Sequence, residues 1–370
     1  EEFVNYFSSE DRAPSMDDPT PFSVTTEGMA DPFRDGHHIL RIGIQGVEVD
    51  RDNRDPIHLT FLVDVSGSMS SPDKLGLAKK ALHMLVDNLR EDDTVAIATY
   101  AGRTAKLLAP TSAGEKRIIH DVIEALDSRG STAMSAGIDI AYDLANEGFQ
   151  QGHENRVVVL SDGDANVGRT SWEDMLAQIK SSADSGITLS TIGFGMGNYR
   201  DTLMEQLANK GDGNNFYIDS EHQAKRVFVD QIGGTLITIA RDTKIQVEFN
   251  DEAVSAYRLI GYENRDIADK DFRNDKVDAG EIGAGHHVTA LYDVVLSGRK
   301  ADQLATVRVR WEKPGADGTA AEEEWNLASS SISNDADNAS TDIRVAYTAG
   351  TFAEKLRGSR HTKEISFADL

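Results

Sequence analysis

Between His58 and Ile232 the chain alternates short apolar runs, rich in β-branched residues, with longer stretches of helical period. IHLTFLVDV at 57–65 predicts a strand that ends in small polar residues. Behind it Leu75, Ala78, Leu82, Leu85 and Leu89 recur at steps of 3, 4, 3 and 4, one face of a 3.6-residue helix. VAIATYA at 95–101 predicts a second strand and AKLLAP at 105–110 a short edge strand, followed by helices over 118–126 and 133–147. RVVVL at 156–160, apolar throughout and bounded by polar turn residues, suits a strand buried on both faces. Ser171 with Asp174 resembles a capping box opening a helix that Trp172, Met175, Ile179 and Ala183 continue on one face. Strands over 187–195 and 215–219 and helices over 199–209 and 221–232 complete the series. Strands separated by helices of this length are βαβ units, with right-handed crossovers and a mostly parallel sheet covered on both sides.

The flanks follow a different period. PFSVTTE at 21–27 and HILRIGIQGVEV at 38–49 precede the α/β block. Strand runs at 236–249, 256–262, 287–296, 306–312 and 323–328 follow it. In TVRVRWE, Val307, Val309 and Trp311 alternate with Arg308 and Arg310, the mark of an antiparallel sheet with one wet face. Two N-terminal strands cannot form a stable unit alone, so they are expected to pair with the C-terminal strands. The expected fold is therefore α/β: a doubly wound, mostly parallel sheet inserted into an antiparallel β-sandwich built from N- and C-terminal strands. A C-terminal helix over 342–357 closes it, after a polar loop at 331–341. The expected segments are 1–55 (N-terminal segment and sandwich strands), 56–235 (α/β domain) and 236–370 (sandwich remainder and helix).

At 370 residues the chain is longer than one core usually holds, and 39% hydrophobic residues suffice for packed cores. With 38 basic and 62 acidic residues the formal charge is −24. It splits into −8 over 1–60, −9 over 61–240 and −7 over 241–370, so the acidity coats the whole chain. Such a surface repels nucleic-acid phosphate backbones and anionic membranes, so neither is expected as a partner. Cysteine is absent, which removes disulfides, thiolate metal sites and Cys nucleophiles together. No run of about 18 apolar residues predicts a membrane span. The chain opens at Glu1, so an upstream signal or anchor is expected to lie beyond it, if anywhere.

Candidate chemistry gathers at strand ends. Asp64-Val65-Ser66-Gly67-Ser68 closes the first strand of the α/β block, Ser131-Thr132 precedes the helix at 133–147, and Ser161-Asp162-Gly163-Asp164 follows RVVVL. In an open parallel sheet the carboxyl edge is where ligands bind. The carboxylates of Asp64 and Asp162 and the hydroxyls of Ser66, Ser68 and Thr132 thus supply five oxygens to one edge. Hard divalent cations want oxygen ligands, and Mg²⁺ suits one or two carboxylates with neutral hydroxyls and water. Two carboxylates only neutralise such an ion, and where either of them binds through water the metal keeps net positive character facing solvent, so its remaining position favours an anionic group, a Glu or Asp from a partner protein.

DVSGS after an apolar strand, Thr132 in GST and Asp162 in SDGDANVG resemble the metal-ion-dependent adhesion site of von Willebrand factor type A domains, which are Rossmann-like. EEFVNYF, PFSVTTE, GFGMGNYRD at 193–201 and AYRLIGYENR at 256–265 extend the resemblance over nearly the whole chain. They look like a bacterial subfamily with its own N-terminal segment and a C-terminal domain of unknown function. The resemblance implies that Ser66, Ser68 and Thr132 are direct ligands, with Asp64 and Asp162 binding directly or through water. Mg²⁺ is the expected ion, with Mn²⁺ or Ca²⁺ as alternatives. It further implies an adhesion-type, protein-binding function, and an extracytoplasmic or cell-envelope location in bacteria.

Other chemistries find less support. An aspartyl phosphotransferase would need an acid where Ser66 stands. GFGMG at 193–197 lacks the third glycine of a dinucleotide loop, and neither a GxSxG elbow nor an HExxH helix occurs. The chain is therefore expected not to be an enzyme. The alternative function is a structural or assembly scaffold of the cell envelope, with the metal only stabilising loops.

Overall fold

The computed structural model describes residues 2–7, 9–50, 54–102, 104–130, 134–164, 169–195, 201–230, 237–261, 268–274, 277, 279–314, 319–333 and 335–370. The chain divides into two compact units, Val49–Arg241 and a second formed by Glu1–Glu48 with Asp242–Leu370.

In the first unit the apolar runs become β3 (Ile57–Asp64), β4 (Thr94–Tyr100), β5 (Ala105–Ser112), β6 (Glu154–Ser161), β7 (Ile187–Phe194) and β8 (Asn215–Ile218). They form one sheet in the order β5-β4-β3-β6-β7-β8. All neighbours are parallel except the β4–β5 pair, where the short edge strand runs back. Alternation along β3 sorts the two layers. Phe61 and Val63 enter the core made with Leu82, Leu85 and Ile119, while Leu62 enters the one made with Ile138, Ile179 and Leu207. Helices α2 (Leu77–Asn88), α3 (Lys116–Glu124) and α7 (Glu221–Lys225) therefore cover one face. Helices α4 (Met134–Gly148), α5 (Arg169–Asp184) and α6 (Asp201–Lys210) cover the other. Gly137 lets α4 approach the sheet closely, since a Cβ there would lie 2.7 Å from Tyr100 Cβ.

Strand order reverses between β3 and β6, because β4 follows β3 on one side and β6 lies on the other. The carboxyl ends of those two strands carry Asp64 and Ser161-Asp162, so the topology places them at the switch point where open sheets bind ligands. One local expectation is corrected: α5 already includes Arg169, which puts Ser171 inside the helix and not at its cap.

The second unit holds two sheets. In one, β1 (Phe22–Ala30) and β2 (His37–Gly46) join β10 (Val254–Ile260), β12 (His287–Leu296) and β15 (Ile332–Ser333) in the order β10-β12-β2-β1-β15. In the other, β9 (Thr238–Phe249, which begins before the Asp242 boundary), β11 (Gly280–Gly283), β13 (Gln303–Glu312) and β14 (Ala320–Ala328) run β11-β9-β13-β14. Leu40 and Val294 from the first meet Leu304, Ala305 and Leu327 from the second, so the sheets form a sandwich. The N-terminal strand β2 lies between β1 and β12 and pairs antiparallel with both. A C-terminal helix, α8 (Thr341–Leu356), packs Ile343 and Tyr347 on Met29, Ile39 and Leu291, with Ser340 Oγ capping Ile343 N–H at 3.2 Å.

Three short elements escape the sequence pattern: α1 (Glu2–Asn5), β11 and β15, the last inside the stretch that reads as polar loop. They run to four residues or fewer, too short for a period to show. β15 also departs from the antiparallel habit by pairing parallel to β1.

Candidate metal centre

β3 ends on Asp64, which is fully buried. One carboxylate oxygen accepts from Ser66 N–H at 2.8 Å and the other from the Ser161 hydroxyl at 2.9 Å. These bonds fold the chain back after the strand and link the ends of β3 and β6. Ser66 is extended (φ −66, ψ 165) and opens a 3₁₀ turn over Gly67–Ser70, which brings its Oγ to 2.9 Å from Ser68 Oγ. Burial pushes the Asp64 carboxyl above its ordinary value, and the charge of Asp162 adds to that, against the hydrogen bonds from Ser66 and Ser161.

Asp162, also buried, follows directly. Gly163 takes φ +77, a left-handed turn suited to glycine, and its N–H meets Ser161 Oγ at 3.1 Å. Asp162 Oδ1 accepts from Asp164 N–H at 3.1 Å, leaving Oδ2 to the Lys74 ammonium at 2.8 Å. Asp164 thus enters through its backbone, as a turn residue. The approach to the third cluster is tied in as well. Arg129 N–H donates to Val65 C=O at 2.6 Å, and Gly67 N–H to Gly130 C=O at 3.1 Å.

Of the five residues expected from sequence, Asp64, Ser66, Ser68 and Asp162 come to one sheet edge, while Thr132 lies outside the described residues. So do residues 196–200 and 262–265 of the two longer resembling stretches. Two contacts escaped the sequence, Ser161 and Lys74. Ser161 carried a signal, a small polar residue at a strand end beside Asp162. Lys74 carried none, because it stands in the turn before α2 like an ordinary surface lysine and meets Asp162 only across the fold.

The donor set fits a hard divalent cation: oxygen only, two carboxylates with hydroxyls and no soft ligand. The Lys74 ammonium already stands as a positive charge at Asp162, so that carboxylate presents an oxygen to a cation. Among the described residues no three His, Asp or Glu side chains are arranged around a metal position, which leaves the hydroxyls an essential part of any such site.

A doubly wound sheet with this edge defines the α/β unit as a von Willebrand factor type A domain, and that family's model matches residues 58–231. A second model, described as the C-terminal region of the uncharacterized protein YfbK, matches residues 234–303. The chain belongs to the YfbK family: it is 35% identical over 394 residues to YfbK of Escherichia coli K12, covering 100% of this chain and 68% of that protein. A more distant relative is the human inter-alpha-trypsin inhibitor heavy chain H3, 22% identical over 261 residues, covering 65% of this chain and 28% of that protein. A solved von Willebrand factor type A structure from Catenulispora acidiphila superposes with a TM-score of 0.51 at 16% identity, covering 94% of this chain and 80% of that one, a likeness of fold. Domains of this class mediate protein–protein interaction. Among the described residues no helix is long and apolar enough to cross a membrane.

Proposed function

We propose that this chain is a metal-dependent protein-binding module and not a catalyst. Asp64, Ser66, Ser68, Thr132 and Asp162 would hold a divalent ion, Mg²⁺ first, with the hydroxyls as direct ligands. The observation that carries this is the oxygen-only cluster at the switch point, with Asp64 locked by Ser66 and Ser161. Both Asp64 oxygens already accept hydrogen bonds, which favours contact with the ion through water. The bound ion supplies a positive charge at the edge of a protein whose formal charge is −24, and a partner's Asp or Glu completes it. The chain's own groups do the positioning: the β3 and β6 ends set the carboxylates, and the turn at Gly67–Ser70 sets the hydroxyls. The cell envelope as the place of action rests on the sequence resemblance alone.

Titration of the full chain with Mg²⁺ should show saturable binding that Asp64→Ala loses. Capture of a protein partner should be abolished by EDTA and by Thr132→Ala. Unchanged Mg²⁺ affinity in a folded Asp64→Ala protein would sink the assignment.

A scaffold function has one observation in its favour. Exposed Phe3, Phe352 and Phe367 form a chain of ring contacts on the sandwich unit, with centroids 5.9 and 5.7 Å apart. Partner capture indifferent to EDTA and to Thr132→Ala supports that mode.

A further inference from the structure

Lys74 is the cation paired with Asp162 among the described residues, and its path to that carboxylate is built into the fold. It sits in the π-helical turn Pro72–Gly76, directly after the segment that carries Ser66 and Ser68. Its stem runs over Gly195, where a Cβ would lie 2.6 Å from Lys74 Cε and 2.7 Å from Cγ. Gly195 holds φ +93, a conformation that favours glycine, and its carbonyl accepts from the Tyr217 hydroxyl. A side chain at 195 would therefore block the lysine's route. The Lys74 side chain is 22% exposed, so the ammonium can leave for water, whereas Asp162 at 3% cannot follow it.

Resting on the metal-dependent function above, we infer that Lys74 is a tethered competitor for the metal position, so that a divalent ion binds by displacing it from Asp162. The lysine holds Oδ2 while Oδ1 accepts from Asp164 N–H, so an ion drawn to Asp162 would compete with the lysine for Oδ2. As like charges they would also repel one another. Lys74 thus neutralises a buried carboxylate and would lower the apparent metal affinity by the strength of its own ion pair.

Mn²⁺ titration by calorimetry on the full chain tests this with four proteins: the native sequence, Asp64→Ala, Lys74→Met, which keeps the apolar stem, and Lys74→Arg, which keeps the charge. Circular dichroism checks that each is folded. The expected result is Mn²⁺ binding to Lys74→Met that is tighter than native by roughly fivefold, the worth of one partly exposed ion pair, with Lys74→Arg near native. The rise in melting temperature on adding Mn²⁺ should be larger for Lys74→Met than for the native chain. Native or weaker Mn²⁺ affinity in Lys74→Met, alongside binding by the native chain that Asp64→Ala loses, overturns the competitor role and leaves the metal site intact. Failure of both the native chain and Lys74→Met to bind Mn²⁺ overturns the metal-dependent function itself.

Discussion

Asp64 stands where the packing of the sheet and the proposed metal site meet. It is fully buried, and charging it there is unfavourable; hydrogen bonds from Ser66 N–H and the Ser161 hydroxyl offset part of that cost. Asp64→Asn keeps the shape, and the Ser161 hydroxyl can reverse its bond to accept from the amide. The variant should melt within a few degrees of the native chain, or above it, while its Mn²⁺ affinity falls at least roughly tenfold, the effect of one lost charge near the ion. Calorimetric melting combined with Mn²⁺ titration checks both halves, and a variant that binds Mn²⁺ like the native chain would remove Asp64 from the site. The residue identities here were legible from sequence, since small polar residues at a strand end are a local signal. The Ser161 bond was not, because it depends on β6 lying beside β3.

At the scale of elements, the start of the sheet is held by one buried carboxylate. Asp93 precedes β4 and accepts from Arg54 at 2.7 and 2.5 Å, from Ile57 N–H at 2.9 Å and from Arg90 N–H at 2.7 Å. It thereby ties the entries of β3 and β4 together. Burial pushes its carboxyl up, but Arg54 and the two backbone N–H groups outweigh that and hold it below the ordinary carboxylate value. A carboxyl depressed in the folded state adds stability that is complete above the unfolded value of about 4 and lost as pH falls through the folded one. Asp93→Asn should therefore cost about 3–5 kcal/mol at pH 7, where it leaves the Arg54 charge buried without its partner. Below pH 4 the difference from the native chain should shrink, and melting curves between pH 7 and pH 2 test this. A gap that stays constant with pH would show that Asp93 acts through packing alone. The strands themselves were visible in the hydrophobic period, but an Arg and an Asp in two polar loops carry no pattern that pairs them.

Across the whole molecule, the acidic coat is shared by both units, and the metal proposal concerns only Asp64 and Asp162 within it. The unit Val49–Arg241 contains its whole sheet and both helical layers, whereas the sandwich unit has β2 as an interior strand with partners on either side. Expressed alone, residues 49–241 should unfold cooperatively and retain Mn²⁺ binding. Residues 242–370 alone should fail to give a cooperative transition, since β12 loses its β2 partner and Leu291 loses Ile39. A cooperative melt from 242–370 would contradict this. The kind and order of the elements and the placement of Asp64, Ser66, Ser68 and Asp162 at strand ends can be read from the chain one segment at a time, because hydrophobic period and turn chemistry act over a few neighbouring residues. Strand order and register arise from long-range packing, and with them come the burial of Asp64, the Asp93 clasp, the short β15 beside β1, and Lys74 reaching Asp162 across 88 residues of chain. Those contacts depend on which surfaces pack together, and the local pattern of apolar and polar positions does not encode that choice.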